Sequence, residues 1–199
     1  MLQIVRPDIV VPLAEYRPSP ELSATLRATR LQRVREHEEH SPPPREAPTG
    51  HRGAAALRAY ARSGEEGSPL TAGDVMSRPV TTLPLDASLE EARALFLASG
   101  FQHLPLLDRA ARIAGMLSER DLLRAGASAR GGPRVAQIAT REVLVCRADT
   151  HIPAIAAAML EHHFGGVPVV DEALHVLGIL THSDILRLML LHAPGGLQA

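Results

Sequence analysis

The chain contains itself twice. Shifting the 199-residue sequence by 63 positions lays Val75 on Ile138, and from there to Arg124 over Arg187 the two stretches align without a gap. Arg78/Arg141, Val80/Val143, Asp86/Asp149, Pro105/Pro168, Asp108/Asp171, Gly115/Gly178, Leu117/Leu180, Asp121/Asp184 and Arg124/Arg187 are identical. Leu104/Val167, Leu106/Val169, Leu107/Val170 and Met116/Ile179 are apolar in both. A match that keeps Pro, Gly and Asp in place preserves turns as well as core, so the two stretches are expected to share one fold. Two similar units that each bury one face tend to pack together about a pseudo-twofold axis.

Each copy reads as strand–helix–strand–strand–helix. A short strand at 80–83 or 143–146 comes first, then a helix at 89–99 or 152–163. Ser88 with Glu91 three residues on forms a capping box for the first helix, and Pro153 suits the first turn of the second. Two apolar runs follow, 104–107 with 113–117 and 167–170 with 176–180. Each pair is joined by a turn starting at Asp108 or Asp171 and predicts a strand hairpin. A last helix opens at Ser118 or Thr181. The predicted class is α+β (α/β), with copies at 71–130 and 131–191 and a tail at 192–199. Residues 1–70 hold most of the 16 prolines and a mixed-charge run at 33–40. They read as an extension, partly disordered or docking on the domain or a partner, with helices at 21–39 and 54–62 and a linker at 63–69.

Composition narrows the function classes. The chain is 45% hydrophobic but only 3% aromatic, without Trp, so its core must be aliphatic. Twenty-one basic residues against 22 acidic ones give a net charge of −1, without the basic surplus of a nucleic-acid binder. Every basic residue is Arg, so an anion site must use Arg, His, backbone amides or hydroxyls. The single cysteine, Cys146, allows no intrachain disulfide and sits in a strand position, where burial is expected rather than reactivity. No signal peptide and no apolar run of about 18 residues is read, so the expected location is the cytoplasm. His162, His163 and His182 do not suggest a metal site, because adjacent histidines on one helix point about 100° apart.

The motifs resemble a known family. Asp74-Val75-Met76-Ser77-Arg78-Pro79-Val80 is similar to the opening of a CBS domain. His103-Leu104-Pro105-Leu106-Leu107-Asp108 and Gly166-Val167-Pro168-Val169-Val170-Asp171 are similar to its central strand. Gly115-Met116-Leu117-Ser118-Glu119-Arg120-Asp121 and Gly178-Ile179-Leu180-Thr181-His182-Ser183-Asp184 are similar to its closing motif. The resemblance covers about residues 71–191 and implies a CBS (Bateman) pair. It implies two clefts between the copies, each combining strand residues of one copy with the Ser/Thr-x-x-Asp of the other. It also implies regulatory ligands such as AMP, ADP, ATP or S-adenosylmethionine, and a homodimer. The second copy departs from the pattern. Its opening, 137–143, lacks the Met and the Pro, and Gly165-Gly166 offers no side chain where the first copy has Gln102-His103. The two clefts are therefore expected to differ, with one a candidate to stand empty.

The residues carry a physical rationale. A hydroxyl at Thr181 sits at a helix start, beside unpaired amides and the positive end of the dipole, which suits a phosphate. Three residues on, Asp184 can accept two hydrogen bonds from the hydroxyls of a ribose. Ser118 and Asp121 repeat this, with Arg120 as a phosphate cation. The same pattern is also a plain capping box that needs no ligand, and the two roles can coexist. A base needs an apolar slot: Val80, Thr81 and Leu104 offer one wall, and Val143, Leu144 and Val167, beside Gly166, offer its counterpart. His103 reads as a phosphate contact or a surface histidine, and Arg124 and Arg187 as solvated faces or ion pairs. No activated nucleophile, paired catalytic acids or glycine-rich phosphate loop is read. The leading expectation is a ligand-sensing regulator rather than an enzyme, and the alternative is a ligand-free dimerisation scaffold that recruits a partner through residues 1–70.

Overall fold

The computed structural model describes residues 1–6, 9–15, 70–125 and 134–191. The helices expected at 21–39 and 54–62, the linker and the tail lie outside the described residues. Strands β1 (Leu2–Arg6) and β2 (Ile9–Pro12) come first. The first copy follows with α1 (Ala72–Val75), β3 (Leu83–Pro84), α2 (Leu89–Ser99), β4 (His103–Leu107), β5 (Ile113–Ser118) and α3 (Glu119–Ala125). The second has a 3-10 turn at Val135–Gln137, then β6 (Val143–Cys146), α4 (Ile152–His162), β7 (Gly166–Val170), β8 (Val176–Thr181) and α5 (His182–Leu191). The expected order recurs twice, as a mixed α+β fold. Among the described residues no helix is long and apolar enough to cross a membrane.

Local chemistry accounts for the ends of these elements. The amide of Glu91 donates to Ser88 Oγ at 3.1 Å and the Ser88 amide donates to Glu91 Oε2 at 2.8 Å, closing the capping box of α2. That helix stops at Gly100, whose φ of 65° costs a glycine little. Helix α4 ends one residue before its expected end, because His163 takes the left-handed cap at φ 58°. Each hairpin is an Asx-type turn. Asp108 Oδ1 accepts from the amides of Ala110 and Arg112 at 2.8 and 2.9 Å, and Asp171 Oδ1 accepts from that of His175 at 2.8 Å. Ala111 and Leu174, repeat-equivalent, both take positive φ there.

The strands form one sheet in the order β3-β4-β5 and another in the order β2-β1-β6-β7-β8. In both copies the first strand meets the second in parallel at one equivalent place, Leu83↔Leu106 and Cys146↔Val169. The copies part beyond it. Residues 143–146 are all strand, as expected, because β1 runs antiparallel along their outer edge with Ile4 on Leu144 and Val5 on Val143. Residues 80–82, expected as strand, are not strand, since among the described residues no partner lies beside them. A ladder needs a second chain to take its amides and carbonyls, and sequence pattern alone does not supply one.

The lead-in segment of each copy is exchanged into the other. The amides of Ala72 and Gly73 donate to the carbonyls of Thr150 and Ala148, both at 2.8 Å, and the Val135 amide donates to the Ala87 carbonyl at 2.9 Å. Ser77 bonds reciprocally with Ile179 on β8, as Thr140 does with Met116 on β5. The second core therefore holds Ala72, Val75 and Met76 around Leu144, Ile155, Met159 and Leu180. The first core holds Val135, Ile138 and Ala139 around Phe96, Leu104, Leu106 and Leu117. A third cluster fills the space between the copies with Val5, Ile113, Met116, Val143, Val145 and Val170. Arg112 and His175, one repeat length apart, bridge each other and so mark the pseudo-twofold axis.

Candidate ligand clefts between the two copies

At the junction of β8 and α5, the amide and hydroxyl of Thr181 donate to Asp184 Oδ2 at 2.8 and 2.6 Å. The other carboxylate oxygen, Oδ1, accepts from Ser77 Oγ at 2.9 Å, across the boundary between copies. Arg187 stands 3.8 Å from the same oxygen. Asp184 is only 7% exposed. One buried carboxylate thus caps a helix of its own copy and holds the lead-in of the other.

The first copy repeats half of this. The amide and hydroxyl of Ser118 donate to Asp121 Oδ2 at 2.9 and 2.6 Å, and the Asp121 amide donates back to Ser118 Oγ at 3.3 Å. Thr140, the repeat counterpart of Ser77, makes no side-chain bond to Asp121 among the described residues. Arg120 is exposed, beside the half-buried Asp121.

His103 and Gly166 are repeat counterparts that meet face to face. A methyl group on Gly166 would lie 3.3 Å from His103 Cγ, and the ring also covers Gly165. Near a twofold axis a side chain and its image compete for one space, so a ring in one copy requires bare backbone in the other. The missing side chains at 165–166 therefore make room for His103. Its Nδ1 is buried without a hydrogen-bond partner. Burial lowers the His103 pKa below the ordinary histidine value, with the nearby His182 acting in the same direction and Asp121 opposing both. At neutral pH the ring offers a hydrogen bond rather than a charge.

The apolar residues divide sharply. Leu104 and Val167 are wholly buried in the two cores. Gly166 is buried under His103, while Val143 and Leu144 are sealed by β1. Of the seven residues named as slot, Val80 and Thr81 alone are half-exposed. Sequence reasoning passed over Ser77 as a site residue and missed Ile4 and Val5. Ser77 lies inside a motif already noticed, and the apolar 2–5 and 9–11 runs carry a strand signal of their own. Among the described residues no group of three His, Cys, Asp or Glu is placed to hold a metal. Cys146 is buried and free, and burial pushes its thiol up to about 12.

The CBS domain family model matches residues 72–128 and 135–191. The sequence is 33% identical over 122 residues to the L-aspartate semialdehyde sulfurtransferase of Methanocaldococcus jannaschii, covering 61% of this chain and 24% of that one. It is 36% identical over 116 residues to the homoserine O-acetyltransferase of Methanohalophilus mahii, covering 58% of this chain and 24% of that one. The chain thus spans about a quarter of the length of these curated relatives. Among solved structures it resembles the CBS domain pair of protein MJ0100 in complex with 5′-methylthioadenosine and S-adenosyl-L-methionine. That match has a TM-score of 0.57 at 30% identity and covers 61% of this chain and 97% of that one. It also resembles CBSX2 in complex with AMP, with a TM-score of 0.55 at 27% identity over 61% of this chain and 97% of that one. Two matched copies, a duplicated topology and lead-ins exchanged about one axis agree: the chain belongs to the CBS domain family, as a tandem pair.

Proposed function

We propose that this CBS pair is a regulatory module that binds an adenosine-type ligand, AMP, ADP, ATP or S-adenosylmethionine, and thereby alters a partner or its own assembly. The observation that carries this reading is the Asp184 carboxylate, buried between the copies and tied to the hydroxyl of exposed Ser77. A ribose diol can take the place of that hydroxyl on Oδ1, while Thr181 keeps Oδ2. The N-terminal amides of α5, ten residues long, then face a phosphate or carboxylate. Ligand that breaks the Ser77–Asp184 tie acts on the exchanged lead-in, and so biases how the copies pack. Solved CBS pairs at 30% and 27% identity carry adenosyl ligands, which supports the same class here.

Catalysis is not part of this reading. The enzymatic names belong to relatives of which this chain spans about a quarter, and the one thiol is held protonated at neutral pH. Self-association, or a ligand-free scaffold, is favoured by a separate observation. Leu97 and Leu123 are 89% and 76% exposed, and their repeat counterparts Leu160 and Leu186 are exposed as well. Apolar side chains bared at equivalent places on both copies suit a symmetric partner surface, such as a second copy of the chain.

Thermal shift decides between the two. AMP or S-adenosylmethionine at 100 times Kd should stabilise the chain by about 2.7 kcal/mol, and Asp184→Ala should abolish that gain. Absence of any shift with all four ligands, together with a dimer by sedimentation, would leave the scaffold standing.

A further inference from the structure

We infer that the N-terminal strand β1 occupies one of the two clefts, so that the intact chain has a single adenosyl site, on the Asp184 side. This rests on the ligand reading above and adds its stoichiometry.

The pseudo-twofold relation makes the argument. It maps β6 onto residues 80–83 and β5 onto β8, so the groove between β6 and β5 has its image between residues 80–82 and β8. In the first groove lies β1. It pairs with β6 from Leu2↔Cys146 to Val5↔Val143 and also packs against β5. Val5 enters the cluster between the copies, Ile4 enters the second core, and Arg6 pairs with Glu142 at 3.0 Å. The strand thus covers the backbone edge and the apolar wall that face the Ser118–Asp121 junction. In the image groove no described strand lies beside Val80 and Thr81, which are only partly buried, and just upstream of them Ser77 bonds to Asp184. The closed groove also lacks the cross-copy hydroxyl tie that the open one has in Ser77. A segment of the chain itself fills one site, and the repeat has kept the other.

Calorimetric titration with AMP and with S-adenosylmethionine tests this. The full chain should take up one equivalent of whichever probe binds. A chain lacking residues 1–12 should take up two, and in that shortened chain Asp121→Asn should return the count to one. Two equivalents in the full chain, or one in a shortened chain whose circular dichroism is native, overturns the inference and leaves the ligand reading intact. Uptake of neither probe by either chain defeats both. Should the shortened chain fail to fold, the full chain decides by hydrogen exchange and Cys146 labelling at saturating probe. The inference expects slowed exchange at residues 80–82, unchanged exchange at 2–6, and Cys146 as unreactive as before. Faster exchange across β1, or a thiol that becomes labelled, means that ligand displaces the strand and overturns it.

Discussion

Val143 is 2% exposed, while Val80, the same residue at the same place in the other copy, is only partly buried. The two copies share their hairpins, their capping carboxylates and their exchanged lead-ins, yet along this edge they differ. Sixty-three residues of separation in sequence carry the same fold instructions. What the second copy has in addition is a strand delivered from far outside the repeat. Pairing, not intrinsic preference, therefore decides which first strand forms a full ladder, as expected where β propensity is strongly context-dependent.

Paired substitutions at equivalent positions sharpen that contrast. The largest effect is expected at Ile4, which is fully buried opposite Leu144. Ile4→Ala should cost about 2–5 kcal/mol in urea unfolding, while Thr81→Ala, at the counterpart of Leu144, should stay within about 1 kcal/mol. Next come the two glycines of the closing motifs. A methyl on Gly178 collides with Met76, so Gly178→Ala should cost about 1–3 kcal/mol, coupled to Met76 in a double-mutant cycle. At Gly115 the nearest atom would be the Thr140 carbonyl oxygen at 3.4 Å, and Ala139 stands in place of the methionine, so Gly115→Ala should cost less. Equal losses at both glycines would break the asymmetry.

The hydroxyl tie is smaller. Ser77→Ala should lose roughly 0.5–1.5 kcal/mol by thermal unfolding, while Thr140→Val, with no bond to Asp121 to lose, should lose less. The smallest and most gradual effect concerns His103. Its folded pKa is depressed below the ordinary histidine value of 6.5, mainly by burial. The unfolded chain therefore binds more protons than the folded one between that value and the depressed one. Stability is complete above about pH 6.5 and declines as pH falls through that window. His103→Gln should flatten part of the slope of Tm against pH between about 7.5 and 5. An unchanged slope would mean that the ring between the copies is not the group that titrates.

Much of this was legible from the residues because each copy reports on itself. Ser88 with Glu91, the Asp108 and Asp171 turns, and the Ser118/Asp121 and Thr181/Asp184 junctions are local patterns, and local hydrogen bonds realise them. What sequence did not yield involves relations between copies. Leu104 and Val167 read from sequence as slot walls, and packing assigns them to the cores. The absence of side chains at Gly165-Gly166 was visible, but not that His103 lies in the vacated space, because that depends on where the axis passes. Likewise the motif at 74–80 looks like the start of the first copy, although residues 72–76 pack in the core of the second.

That exchange has a practical consequence. The seam between the matched stretches, after residue 128, is the wrong place to cut the polypeptide. A fragment ending there keeps Ala72 and Met76 without the hydrophobic pocket they plug, and lacks the Val135 and Ala139 that would plug its own. Such a half is expected to borrow the absent wedge from a neighbour, giving intertwined oligomers instead of a small autonomous unit. The expected folding unit is the pair of copies, not the single repeat.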